Sequence, residues 1–196
     1  SREKAKTVVI LVPNYQAGKD VAAGFKRTYK GGKVVREILY KLGQTDFQAD
    51  LTQIRAAKPD GVFVFAPGGM GIAFVKQYAQ SGLTVPLFGP AFSFDQGILA
   101  AVGDAALGVK NTSQWSKDLD NAANKAFVEA FQAAYGRLPS LYASQGYDAA
   151  NLILSAWKKT GGTADKDAFR KALEAADFAS VPGSFKFDAP HHPIQD

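Results

Sequence analysis

Two hydrophobic rhythms share this chain, and its first half switches repeatedly between them. A β-branched run from Thr7 to Val12 meets Pro13, Asn14 and Gly18, becomes an amphipathic helical pattern, and returns to a second β-branched run after Gly31-Gly32. That is one strand–helix–strand unit, whose crossover almost always leaves its strands parallel. The grammar then repeats. A helical segment runs from about Asp46 to Lys58 and a third apolar strand from Gly61 to Ala66. Gly68-Gly69-Met70-Gly71 opens another helix, which Gly82 closes. A fourth strand follows at Val85 to Gly89, then a short helix around Phe94 to Val102 and a fifth strand near Val109 to Thr112. Such alternation predicts a doubly wound parallel α/β sheet. Ligands in these sheets sit beyond the carboxyl ends of the strands, so Asn14-Tyr15-Gln16-Ala17-Gly18 is the first place to look for function.

After Trp115 the alternation stops. Leu119-Asp120-Asn121 leads into an amphipathic helix carrying Phe127, Phe131 and Tyr135 on one stripe, read as core, with Gly136 as its C-cap. A long helix follows Pro139-Ser140 and ends at Gly161-Gly162. A third begins at Asp165, an N-cap residue, and reaches about Ala176; Ser184 to Asp188 reads as a short strand. Three helices and one strand cannot make a second doubly wound domain, so this half is expected to be part of a lobe whose sheet lies elsewhere, and to expose apolar surface. The whole chain is expected to be a fragment.

Composition narrows the function classes. With 196 residues, 46% of them hydrophobic, the chain can build a packed core. No window approaches the roughly 20 apolar residues that span a bilayer, so membrane insertion is not expected. Ser1 to Val9 has charge but no apolar targeting segment; a signal removed by processing or lying upstream would leave the same sequence. The absence of cysteine excludes disulfides, thiolate metal sites and cysteine nucleophiles, and suits an oxidising compartment. A net charge of +5 comes from Lys and Arg scattered among acids. Clusters such as Lys26-Arg27 with Lys30 and Lys33 read as solvated helix faces, so no nucleic-acid partner is expected.

Taken in order, the segments PNYQAGKDVAAGFK, TDFQADLTQIRAAKPDGVFV, FVKQYAQSGL, LDNAANKAFVEAFQAAYGRLPS, YASQGYDAANLILSAW and FDAPHHPIQD resemble the type I periplasmic substrate-binding proteins of ABC importers, the leucine/isoleucine/valine-binding group. The resemblance covers essentially all 196 residues. It implies two α/β lobes joined by three chain crossings: residues 1–112 form a complete second lobe with a five-stranded parallel sheet. Residues 113–188 form the helical part of an incomplete first lobe, and 189–196 begin the third crossing. It also implies a periplasmic location, a membrane permease as partner, a small-molecule ligand closed on by a hinge, and no cofactor.

The resemblance nominates site residues, and two departures bear on the ligand. Amino-acid binders keep a tyrosine before the glycine of the first turn, where this chain has Ala17; Gln16 precedes it. They carry an acid after Gly-Pro in the turn after the fourth strand, where Gly89-Pro90 is followed by Ala91, Phe92 and Ser93. A buried ammonium without its anion costs roughly 3–5 kcal/mol, so an α-amino acid is disfavoured. A cavity keeping Tyr15, Met70, Phe92 and Trp115 suits a flat aromatic carboxylic acid of the benzoate or hydroxycinnamate type. Backbone N–H groups around Gly69 to Gly71 are candidate carboxylate donors. Tyr15 either lines the mouth or packs beneath the loop. Gln114 and Trp115, at the second crossing, and Gln145 either meet a ring hydroxyl or, for Trp115, pack the hinge. Gly68 to Gly71 lacks the Gly-Lys-Ser/Thr ending of a phosphate loop, and adjacent His191 and His192 lack a third metal ligand.

No acid/base constellation supports an enzyme. Besides aromatic-acid transport, two readings stay open: a branched-chain or other amino-acid binder, and the sensing domain of a regulator on the same fold.

Overall fold

The computed structural model describes residues 5–195, so Ser1–Lys4 and Asp196, read above as the ends of the first and last segments, lie outside the described residues. The chain divides into two compact units, Ser1–Thr112 and Ser113–Asp196.

The first unit is a five-stranded parallel sheet in the order β2-β1-β3-β4-β5. Its strands are β1 (Thr7–Pro13), β2 (Lys33–Tyr40), β3 (Gly61–Val64), β4 (Leu87–Pro90) and β5 (Lys110–Thr112). Between them run α1 (Gln16–Thr28), α2 (Gln48–Ala57), α3 (Gly69–Gln80) and α4 (Gln96–Val102), with short 3₁₀ turns at Ala91–Ser93 and Gly103–Ala106. Alternate β1 side chains point to opposite faces. Val9 and Leu11 join Val62, Val64, Ile54, Phe74 and Ile98 under α2, α3 and α4. Ile10 and Val12 join Ala22 and Phe65 under α1. This burial on both faces is why β1 reads as a continuous apolar run rather than an alternating one. Moving from β1 to β2 runs one way across the sheet and every later step runs the other. Right-handed crossovers therefore place α1 alone on its face. At the exposed edge, β2 carries Lys33, Arg36 and Glu37, with Glu37 paired to Lys26 at 2.7 Å, which discourages further strand pairing.

The second unit holds α5 (Ala122–Tyr135), α6 (Leu141–Thr160), α7 (Lys166–Glu174) and a hairpin of β6 (Phe185–Phe187) and β7 (Pro193–Gln195). Each helix starts on a side-chain cap: Asn121 accepts from Asn124 N–H at 2.8 Å, Ser140 from Ala143 N–H at 3.4 Å, and Asp165 from the N–H groups of Asp167 and Ala168 at 3.0 and 2.9 Å. Gly136 and Gly161 close α5 and α6 in the left-handed conformation. Asp148 of α6 is buried and accepts from the Ser180 hydroxyl at 2.6 Å and Val181 N–H at 3.0 Å, pinning the segment after α7.

Two features of the second unit differ from expectation. The chain after Asp188 turns back through His191 (φ 65°) into β7, where the pattern predicted one strand only. Of the Phe127–Phe131–Tyr135 stripe only Phe127 is core, and Tyr135 is 65% exposed, because the stripe runs off the contact with α6. No helix of the described residues is long and apolar enough to cross a membrane.

Candidate ligand-binding site

The strand order reverses between β1 and β3: the loop after β1 leads towards β2 and the loop after β3 leads towards β4. In sheets of this kind the diverging loops at such a switch point, on the carboxyl edge, frame the ligand crevice.

The β1–α1 loop starts with Asn14, whose N–H donates to Tyr40 C=O at 2.7 Å, followed by Tyr15 N–H to Pro13 C=O at 2.8 Å. Gly18 lets α1 begin hard against the strand end: a Cβ there would lie 2.0 Å from the Pro13 carbonyl oxygen. Tyr15 and Ala17 are half-buried and, with Phe92 from the loop after β4, pack on the cluster of Ile10, Val12, Ala22 and Phe65. Three nominated residues, from the start of α1, the residue before it and the turn after β4, thus pack on one apolar cluster. Gln16 is exposed, its Nε2 donating to Asp20 Oδ1 at 2.8 Å.

On the other side of the crevice, Gly68 (φ 62°) precedes α3 without a side-chain cap. Gly69 is exposed, and Met70 packs on the α3 face of the sheet, its Sδ accepting from Gly43 N–H at 3.2 Å. Gly71 is required by proximity, since a Cβ would sit 2.2 Å from Ala66 O. Ala91 is 3% exposed and Ser93 1%. The Ser93 hydroxyl is engaged within the fold, accepting from Ala66 N–H at 3.0 Å and donating to Val64 C=O at 3.3 Å.

In the second unit, Gln114 and Gln145 line one cavity of about 300 Å³, walled by Leu152, Phe178, Phe185 and Phe187. Trp115 is buried: its Nε1 donates to Asn124 Oδ1 at 2.7 Å and its ring meets Phe127 edge-on, 6.1 Å between centroids. Asn124 in turn donates to the carbonyls of Ser116, Lys117 and Leu119, closing the turn before α5. His191 and His192 point to different carboxylates, Glu174 at 3.3 Å and Asp188 at 3.2 Å.

Sequence reasoning missed Tyr40. It lies buried at the end of β2, and its phenol donates to Phe65 C=O at 2.9 Å, under the crevice. Burial, with a smaller contribution from nearby Tyr15, holds that phenol far above its ordinary pKa. The one available signal was a tyrosine closing a β-branched run.

Comparison with known proteins fits this arrangement. The periplasmic binding protein family model matches residues 1–196. A solute-binding protein of an ABC transporter from R. palustris, solved in complex with benzoate, is 40% identical with a TM-score of 0.95, over 99% of this chain and 54% of that one. Another, from Rhodopseudomonas palustris BisB5 in complex with 3,4-dihydroxybenzoic acid, is 37% identical with a TM-score of 0.88, over 97% and 54%. A Leu/Ile/Val-binding protein homolog from Brucella melitensis is 31% identical over 191 residues, which is 93% of this chain and 49% of that protein. The chain therefore spans about half the length of the relatives it matches. With all of its residues matched and both apolar layers and strand order in place, it belongs to the periplasmic binding protein family.

Proposed function

We propose that the protein is the solute-binding component of an ABC importer, located in the periplasm, and that it delivers a small aromatic carboxylic acid to a membrane permease. The observation that carries this reading is the make-up of the carboxyl edge. Tyr15, Ala17 and Phe92 pack on one apolar cluster beside the switch point, and Ala91 stands where, by the family resemblance, amino-acid binders carry an acid. An unpaired ammonium enclosed there would cost about 3–5 kcal/mol, whereas an aromatic ring gains about 0.5–1.5 kcal/mol per ring contact beyond its area burial. The uncapped first turn of α3, from Gly69 to Gly71, offers N–H groups to the carboxylate. The benzoate and dihydroxybenzoate complexes of the two R. palustris relatives support the same ligand class.

A second reading, binding of branched-chain amino acids, has the Brucella relative in its favour. Calorimetric titration of the complete protein with benzoate, 4-hydroxybenzoate and leucine separates them. Saturable binding of an aromatic acid without leucine binding is the expected result. Tight leucine binding would mean that the ammonium finds its anion outside these residues, and would overturn the proposed ligand class.

A further inference from the structure

Four backbone groups at the end of β3 and the start of the following loop are each taken by a neighbour. Phe65 N–H donates to Leu11 C=O at 2.9 Å. Ala66 N–H and Val64 C=O both meet the Ser93 hydroxyl, at 3.0 and 3.3 Å. Phe65 C=O accepts from the Tyr40 phenol at 2.9 Å. Tyr40 also accepts Asn14 N–H through its own carbonyl. One residue of β2 thus ties both loops that flank the crevice, the first by its main chain and the second by its side chain. The Tyr40 ring is itself fixed, edge-on to Phe47 at 5.1 Å and 73°, and Phe47 is edge-on to Phe74 at 5.4 Å and 80°. Tyr40 is 2% exposed, so its phenol has no water to fall back on.

We propose that Tyr40 and Ser93 are positioning residues, a clasp that presets the β3–α3 loop for ligand; this rests on reading that edge as the aromatic-acid site. Their part is to hold Phe65 and Ala66 so that the first turn of α3 presents its N–H groups in one arrangement. A preset loop loses less freedom on binding, and affinity rises accordingly. Without the Tyr40 hydroxyl, the Phe65 carbonyl is buried and unpaired, and the loop shifts to seek another donor.

The fold supplies a matched control. Tyr78 of α3 is also a buried phenol in the same core, donating to Val85 C=O, and burial pushes its pKa up to about 12. Val85 lies just before β4, at the amino edge of the sheet, away from the crevice. Tyr40→Phe and Tyr78→Phe each delete one buried phenol–carbonyl bond, and both should lower the thermal midpoint of the complete protein. Benzoate affinity should fall about tenfold in Tyr40→Phe, about 1.4 kcal/mol, and stay within about twofold of wild type in Tyr78→Phe. Amide exchange across residues 66–71, read without ligand, should speed up in Tyr40→Phe alone. Unchanged affinity in Tyr40→Phe, or equal losses in both variants, would overturn the proposal. If wild type binds neither benzoate nor 4-hydroxybenzoate, the ligand reading falls and the exchange result decides the clasp separately: faster exchange confined to Tyr40→Phe sustains it, and unchanged exchange overturns it.

Discussion

The two units bury their apolar residues on different terms. In the first, the sheet is covered by three helices on one face, and Phe47, Phe74, Ile54, Val62 and Val9 are wholly enclosed. In the second, α6 is fastened through Leu141, Ser144 and Asp148 and through the Tyr147 ring against Phe127, while Ile153, Leu154 and Trp157 stand about half exposed on its remaining surface. The composition of α6 is that of a helix with two contact faces, and the one that carries Ile153, Leu154 and Trp157 stays half open among the described residues. A helix needs a second layer against its apolar stripe, and the relatives, twice as long, have the chain to supply one. Apolar content alone therefore says little about stability; what matters is whether the facing layer is present.

The comparison breaks most directly through paired truncations. Phe74→Ala removes a ring packed edge-on against Phe47 and should destabilise the first unit by about 3–5 kcal/mol in urea unfolding followed by amide exchange. Leu154→Ser, in the chain of residues 1–196, should change stability by less than about 0.5 kcal/mol and reduce self-association. If Leu154→Ser costs as much as Phe74→Ala, the outer face of α6 is already covered in solution and the contrast fails.

A smaller and sharper test uses one substitution in two settings. Gly71→Ala drives a methyl against the Ala66 carbonyl oxygen, which belongs to the tightly held loop after β3. The expected loss is about 1–3 kcal/mol, as for overpacking in general. Gly146→Ala, inside α6, meets open space, and should gain about 0.5–1 kcal/mol from reduced backbone freedom in the unfolded chain. Opposite signs in urea midpoints would show that the first unit is packed to its limit and α6 is not.

These contrasts also show what could be read in advance. The doubly wound order was legible because β1 is buried on both faces and each crossover helix has its own period. Helix ends were legible where chemistry marks them, at Asp165, Gly136 and Gly161. Strand ends were not. The third strand was expected to reach Ala66 but stops at Val64, because Phe65 and Ala66 bond to Tyr40 and Ser93, partners 25 and 27 residues away that no local period reveals. Likewise β7 was invisible, since three residues headed by a proline carry no strand signal until β6 lies beside them. The meeting of Tyr15, Ala17 and Phe92 followed from placing two loops on one edge. The core position of Trp115 depended on its bond to Asn124, which spacing does not announce.

The smallest effect concerns a place where the first unit is fastened by a charge rather than by packing. Asp60, just before β3, accepts at one carboxylate oxygen from Lys6 N–H, Thr7 N–H and the Thr7 hydroxyl, each at 2.9 Å, and so holds the start of β1. The Thr7 hydroxyl first, then the two amides, keep its pKa below the ordinary carboxylate range. A depressed pKa contributes stability that is present above the unfolded value, near 4, and is lost as pH falls through the lower folded value. Wild type should therefore exceed Asp60→Asn in urea midpoint at pH 7, and the difference should shrink towards zero as the pH is lowered into the acid range. Exchange at Thr7 and Val8 should quicken over the same window, ahead of Val62 in the middle of the sheet. A difference between wild type and Asp60→Asn that stays constant from pH 7 downwards would mean that shape and neutral hydrogen bonding, not ionisation, hold the strand end.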